Sequence, residues 1–134
     1  PQDFDRFGSS LLVADLNADT FDDIVIAAPG RVTGGMALAG EVFVYFGGPG
    51  VDLDDPFQRL HLKSDAPSAY GLLGLALAAG DFAGVGVNDL VCAEPLAAGL
   101  GVLGNGGLVV YTDLLHRKDN LTRPEILNGV TPNQ

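Results

Sequence analysis

The sequence predicts an all-β chain made of two consecutive four-stranded antiparallel sheets stacked face to face. Three observations carry the prediction. Short apolar runs are punctuated by 19 glycines and 8 prolines, which is the spacing of strands and tight turns rather than of long helices. The chain repeats itself at one fixed separation. The first two strands of each repeat are apolar along nearly their whole length, as in Ile24, Val25, Ile26, Ala27 and Ala28, so both of their faces need cover.

The repeat is read directly. Gly8 pairs with Gly74, Leu11 with Leu77, Asp15 with Asp81, Asp23 with Asp89, Val25 with Val91, Ala27 with Ala93, Pro29 with Pro95, Gly40 with Gly106, Val44 with Val110 and Tyr45 with Tyr111, each partner standing 66 positions later. Identities that include Asp, Pro and Tyr at one separation mark a repeated structural unit. They divide the chain into units 1–66 and 67–134.

In the first unit the strands fall at 10–14, 24–28, 41–46 and 57–63. The acidic segment 15–23 forms the first turn, Pro29 and Gly30 stop the second strand, and Gly47, Gly48, Pro49 and Gly50 close the third. The second unit repeats the plan at 75–79, 89–93, 108–112 and 125–127. A four-stranded sheet that stacks on copies of itself, with its innermost strands covered on both sides, is the blade of a β-propeller. An antiparallel sandwich, the alternative, would show cleaner alternation of apolar and polar residues. Propellers close with about four to eight blades, so the remaining blades come from elsewhere, and the isolated chain is expected to aggregate or oligomerise through its open edge and faces.

A formal net charge of −10 repels phosphate backbones and anionic lipid headgroups, which argues against nucleic acid as a partner. The single cysteine, Cys92, excludes an internal disulfide and sits in an apolar run as a buried strand residue rather than a nucleophile. Residues 95–112 carry no charge over nearly the length of a membrane span, but five glycines and Asn105 break the run, and a turn followed by a strand is expected there instead. The N-terminus has neither a start methionine nor a signal pattern, so the chain is expected to begin mid-protein.

The segment 15–23 carries the clearest chemistry. Calcium takes six to eight hard oxygen ligands around a tight turn. Asp15, Asn17 and Asp19 offer side-chain oxygens at alternate positions, Phe21 a backbone carbonyl and Asp23 a closing carboxylate. The three candidate ligand carboxylates, Asp15, Asp19 and Asp23, repel one another unless a cation sits among them; the alternative is an Asx-rich turn without metal. An EF-hand is excluded because its twelfth position needs Glu, where this chain has Ile26 in a β-type run. Thr20 stands where such a turn favours glycine. In the second unit Asp81 and Asp89 persist while Ala83 and Val85 replace Asn17 and Asp19, so that hairpin is expected to form without calcium.

Phe7 and Gly8, then Asp15 to Asp19, then the run from Ile24 to Pro29, then Gly40 to Tyr45 together resemble the FG-GAP repeat of integrin α-subunit propellers. The second unit matches with Leu73 in place of the phenylalanine and Ala93, Glu94 and Pro95 in place of Gly, Ala and Pro. Within that family the texture is similar to the propellers of the glycosylphosphatidylinositol-specific phospholipase D group, through Arg6, Phe7, Gly8, Ser9, Ser10 and Leu11.

The resemblance implies a seven-bladed propeller at an extracellular or cell-surface location, calcium as the cofactor, and an extracellular protein or glycan as ligand. For the phospholipase group it implies a zinc site in a separate N-terminal domain, which neither His61 nor His116 supplies. The leading expectation is a calcium-stabilised propeller segment with no catalysis of its own. The alternatives are the non-catalytic propeller of such a phospholipase, or a structural subunit lending two blades to a larger assembly. No Gly-x-Ser-x-Gly elbow is present, and the glycines at 99, 101 and 104 follow no βα unit. Asn120 opens an N-glycosylation triplet whose alternative is an unmodified loop. Phe4, Phe7, Phe43 and Phe57 read as packing residues.

Overall fold

Strands form where the sequence sets its apolar runs, and they run as two meanders. The structure, a computed structural model, describes residues 3–52, 54, 59–64, 67–98, 106–112 and 114. The first sheet orders β1 (Leu11–Ala14), β2 (Asp23–Ala28), β3 (Glu41–Tyr45) and β4 (Arg59–Leu62) side by side, all antiparallel. The second orders β5 (Leu77–Gly80), β6 (Asp89–Glu94) and β7 (Gly107–Tyr111) in the same sense. The strand expected at 125–127, the start of the one expected at 57, Asn120 and His116 lie outside the described residues. The chain is all-β as expected: no α-helix occurs among the described residues, nor any helix long and apolar enough to cross a membrane.

Register decides which residues share a face, because side chains alternate along a strand. Leu12, Val25, Val44 and Leu60 align across the first sheet, and Ala27, Val42 and Leu62 align beside them. On the second sheet Leu77, Cys92 and Val109 align, as do Ala79, Leu90 and Tyr111. These faces meet in one core, where Val25, Ala27, Val42, Val44, Leu90, Cys92 and Tyr111 are fully buried. Each such large side chain contributes about 1.5–3 kcal/mol by leaving water.

The sheets approach closely because a glycine stands between them. Gly74 has φ +88°, and a Cβ placed on it would lie 2.6 Å from the Ala27 methyl and 2.8 Å from a Val42 methyl. Polar ties follow the same seam. Ser10 Oγ donates to the Gly74 carbonyl at 2.6 Å, Tyr111 Oη donates to the Lys63 carbonyl at 2.9 Å, and Ser64 Oγ donates to Glu94 Oε2 at 3.1 Å.

The two outer faces are the other halves of the same joint. Leu11, Val13, Ile24, Ile26, Phe43 and Tyr45 on the first sheet are the repeat equivalents of the buried face of the second, yet Leu11 is 65% and Val13 60% exposed. Gly8 matches Gly74 with φ +91°, and it has nothing within 4 Å of its Cβ position where Gly74 has a neighbouring sheet. On the second sheet, Ala78, Val91, Ala93, Leu108 and Val110 repeat the inner face of the first. The strands are thus apolar on both sides, as expected, but among the described residues Leu11 and Val13 of the first sheet and Leu108 of the second stay exposed on the outer sides. Phe4 departs from its expected packing role, being 87% exposed. Phe7 does pack, edge-on to Phe43 at 5.4 Å.

Complementary exposed faces join head to tail rather than in closed pairs. The isolated chain is expected to associate with rising concentration in multi-angle light scattering, and L11K with V13K to return it toward monomer. A wild-type chain that stays monomeric at high concentration would contradict the stacking.

Candidate functional site

The hairpin between β1 and β2 is wound around carboxylates. Asp15 Oδ1 accepts from the backbone N–H groups of Asn17 (3.3 Å) and Asp19 (3.2 Å), and its Oδ2 accepts from Thr20 at 2.9 Å. Asn17 Oδ1 accepts from the Asp19 N–H at 3.2 Å, while Asn17 Nδ2 donates to Asp19 Oδ2 at 2.9 Å. Asp19 Oδ1 accepts from the Phe21 N–H at 3.0 Å. Asp23 closes the turn, taking the Leu16 N–H on one oxygen and the Gly47 N–H on the other, both at 2.8 Å. The local hydrogen bonds of Asp and Asn therefore stand in for a backbone ladder, which is why this polar stretch turns instead of extending.

All five residues expected to hold a cation lie on this one hairpin. Its tip is exposed at Ala18, Thr20 and Phe21, but Leu16, Asn17 and Asp23 are buried. Burial pushes the Asp23 carboxyl above its ordinary value; the Leu16 and Gly47 amides oppose this, and the Asp19 and Asp15 charges add to it. Among the described residues no three His, Cys, Asp or Glu side chains converge as a metal-holding group. The fit rests on donor chemistry instead. The set is hard oxygen throughout, includes an amide and a carbonyl, and is crowded with like charge, all of which suits calcium and none of which suits a softer metal.

The second hairpin repeats the scaffold without the donors. Asp81 accepts from the N–H groups of Val85 (2.9 Å) and Gly86 (2.8 Å), matching Asp15 with Asp19 and Thr20. Asp89 Oδ2 takes the amides of Phe82 and Ala83, both at 3.0 Å. The Gly86 amide foremost, helped by those of Val85 and Gly84, holds the Asp81 carboxyl below its ordinary value against the opposing effect of desolvation. The hairpin persists without Asn17 and Asp19 equivalents, as expected. Backbone geometry agrees: Gly84 (φ 71°) and Gly86 (φ 84°) occupy the left-handed positions that Ala18 (φ 58°) and Thr20 (φ 73°) hold in the first hairpin.

The opposite end of the sheets carries charge that the sequence reading did not single out. Glu41 is buried against Arg31, with Lys63 Nζ at 3.3 Å and His61 Nδ1 at 3.8 Å, and Arg31 also reaches Asp5 at 3.1 Å. Burial would raise the Glu41 carboxyl, but the nearby His61 and the Arg31 and Lys63 charges outweigh it and hold it low. Glu94 is the reverse case. It is 2% exposed, its Oε1 has no hydrogen-bond partner among the described residues, and burial pushes its carboxyl up despite the Ser64 hydrogen bond. Its signal in the sequence is a carboxylate where the first repeat has Ala28. Burial, then the Glu94 charge, drives the Cys92 thiol far from its thiolate form, which removes it as a nucleophile.

Comparison with known proteins follows this geometry. Residues 7–45 match the FG-GAP repeat. The chain is similar to phosphatidylinositol-glycan-specific phospholipase D of Rattus norvegicus, 36% identical over 96 residues that make up 72% of this chain and 11% of that protein. It is similar to integrin alpha-PS5 of Drosophila melanogaster, 39% identical over 94 residues, 67% of this chain and 9% of that protein. Integrin alpha-5 of Xenopus laevis is 37% identical over 134 residues, 98% of this chain and 11% of that protein. The chain thus spans about a tenth of the length of these curated relatives.

Two outcomes follow from the hairpin and the seam. A non-glycine residue in the left-handed region costs about 1–2 kcal/mol, and glycine gives back about 0.4–1 kcal/mol through the unfolded chain. T20G is therefore expected to raise stability by about 0.5–1 kcal/mol and G86T to lower it, both read by urea denaturation. Because the folded Glu94 carboxyl lies above its unfolded value, the stability it contributes is complete below the ordinary glutamate range and is lost as pH rises through the folded value. E94Q is expected to flatten that decline in denaturation measured between about pH 4 and 8.

Proposed function

Since this chain carries an FG-GAP repeat and is a relative of integrin α-subunits and glycan-specific phospholipases D, we propose that it forms two blades, 1–66 and 67–134, of an extracellular calcium-braced propeller that binds a protein or glycan and performs no catalysis of its own. The observation that carries this reading is the first hairpin, where the carboxylates of Asp15, Asp19 and Asp23 and a buried Asn17 share one turn. Asp15, Asn17, Asp19, the Phe21 carbonyl and Asp23 would hold the calcium ion. Bound there, it offsets the mutual repulsion of the carboxylates and tightens the turn.

The residues themselves supply the scaffold. Asp15 and Asp23 fix the two ends of the hairpin on backbone amides, so its shape does not wait for the cation. Asn17 and Asp19 complete the donor set, and their replacement by Ala83 and Val85 leaves the second hairpin a turn alone. The same role fits a receptor or a lipid-anchor hydrolase, because the buried Cys92 offers no nucleophile and the phospholipase chemistry belongs to a separate domain in that reading.

Terbium luminescence and calorimetry on the chain test the site. One calcium per chain is expected, with D19A weakening binding at least tenfold and D54A, at an exposed carboxylate outside both hairpins, leaving it unchanged. Absence of binding at millimolar calcium, or full retention in D19A, would overturn the reading.

A further inference from the structure

The two hairpins touch. Asn88 Nδ2 donates to the backbone carbonyl of Asp15 at 3.0 Å, a tie between residues far apart in sequence and on different sheets. Asn88 precedes Asp89, which is 2% exposed and anchored on the Phe82 and Ala83 amides, so the donor is held in place. On the receiving side, Asp15 is the residue around which the first hairpin winds, through the amides of Asn17, Asp19 and Thr20. The next residue, Leu16, is fully buried in the core shared with the second sheet. The first hairpin is therefore seated on its neighbour through both a polar and an apolar contact.

The repeat makes the choice of residue informative. The equivalent of Asn88 in the first unit is Asp22, whose carboxylate accepts but cannot donate to a carbonyl. Only the amide can make this tie. We propose that Asn88 is a positioning residue for the 15–23 hairpin: it clamps the Asp15 carbonyl from the adjacent sheet, so that the order of the loop, and with it the grip on a cation, depends on the seam between sheets. The second hairpin, which lacks the donor set, then has a purpose of its own as a prop for the first. The cation half of this inference rests on the calcium reading above; the clamp does not.

The test separates them. Amide hydrogen exchange of residues 15–23 is measured in cation-free buffer for the wild-type chain, N88A, N88Q and V85A, the last truncating an exposed residue of the same hairpin. The expected result is exchange about three- to tenfold faster in N88A, the range of one neutral hydrogen bond, with V85A unchanged and N88Q partly restored because it keeps an amide donor. Equal exchange in N88A and V85A would overturn the clamp. Calcium titration is then expected to show three- to tenfold weaker binding in N88A than in wild type, and equal affinities would overturn the coupling. If the wild-type chain binds no calcium, the calcium reading falls and the cation half of this proposal with it, while the exchange result still decides the clamp.

Discussion

Two sheets can share a core only as far as their backbones can approach, and in this chain the limit is set at Gly74. A methyl group there would drive into Ala27 and Val42, and the left-handed φ would be costly for any other residue. Given that approach, Leu73, Leu77, Leu90 and Tyr111 reach the Val25, Val42 and Val44 face, and Ser10 finds the Gly74 carbonyl. Widening the gap would take cover from the core and separate the hairpins whose contact brings Asn88 to Asp15. The glycine pattern is thus the precondition for the hydrophobic pattern to be useful.

The scaffold was legible because each of its parts is repeated. The separation between identities gave both units, and the predicted strands match the observed ones to within two residues at each compared end. The Asp hairpin was legible because its donors alternate in sequence. What stayed hidden depends on residues that meet only after folding. Nothing near Asn88 in sequence announces Asp15, and Glu41 gains His61 and Lys63 only when β4 lies beside β3. Glu94 was visible as a departure from the repeat, but its buried, half-satisfied state follows from the seam and not from the strand that carries it. The open outer faces were expected from the count of two blades rather than from composition, since a strand apolar on both sides looks the same whether or not its neighbour is present.

Charge is distributed unevenly along the strands. The β1–β2 and β5–β6 hairpins concentrate Asp15, Asp19, Asp22, Asp23, Asp81 and Asp89, whereas Arg31 and Lys63 sit at the other ends of the sheets with Glu41. The acidic hairpins use local amides to hold their shape. At the opposite end the buried Glu41 depends on cationic side chains from two connections, which makes that end sensitive to how the connections pack. The two ends solve the same problem, a buried or crowded carboxylate, with different partners.

The contact between Asn88 and the Asp15 carbonyl also bears on how such repeats can be arranged. Stacking needs only complementary apolar faces, which the two units share and which alone would allow either order. With the units exchanged, Asp22 would face the Asp81 carbonyl, and two acceptors would oppose each other where an amide now meets an oxygen. A one-atom-group difference at a single loop position therefore gives the duplicated units a direction and a neighbour, so that copies alike enough to fold in the same way are no longer interchangeable.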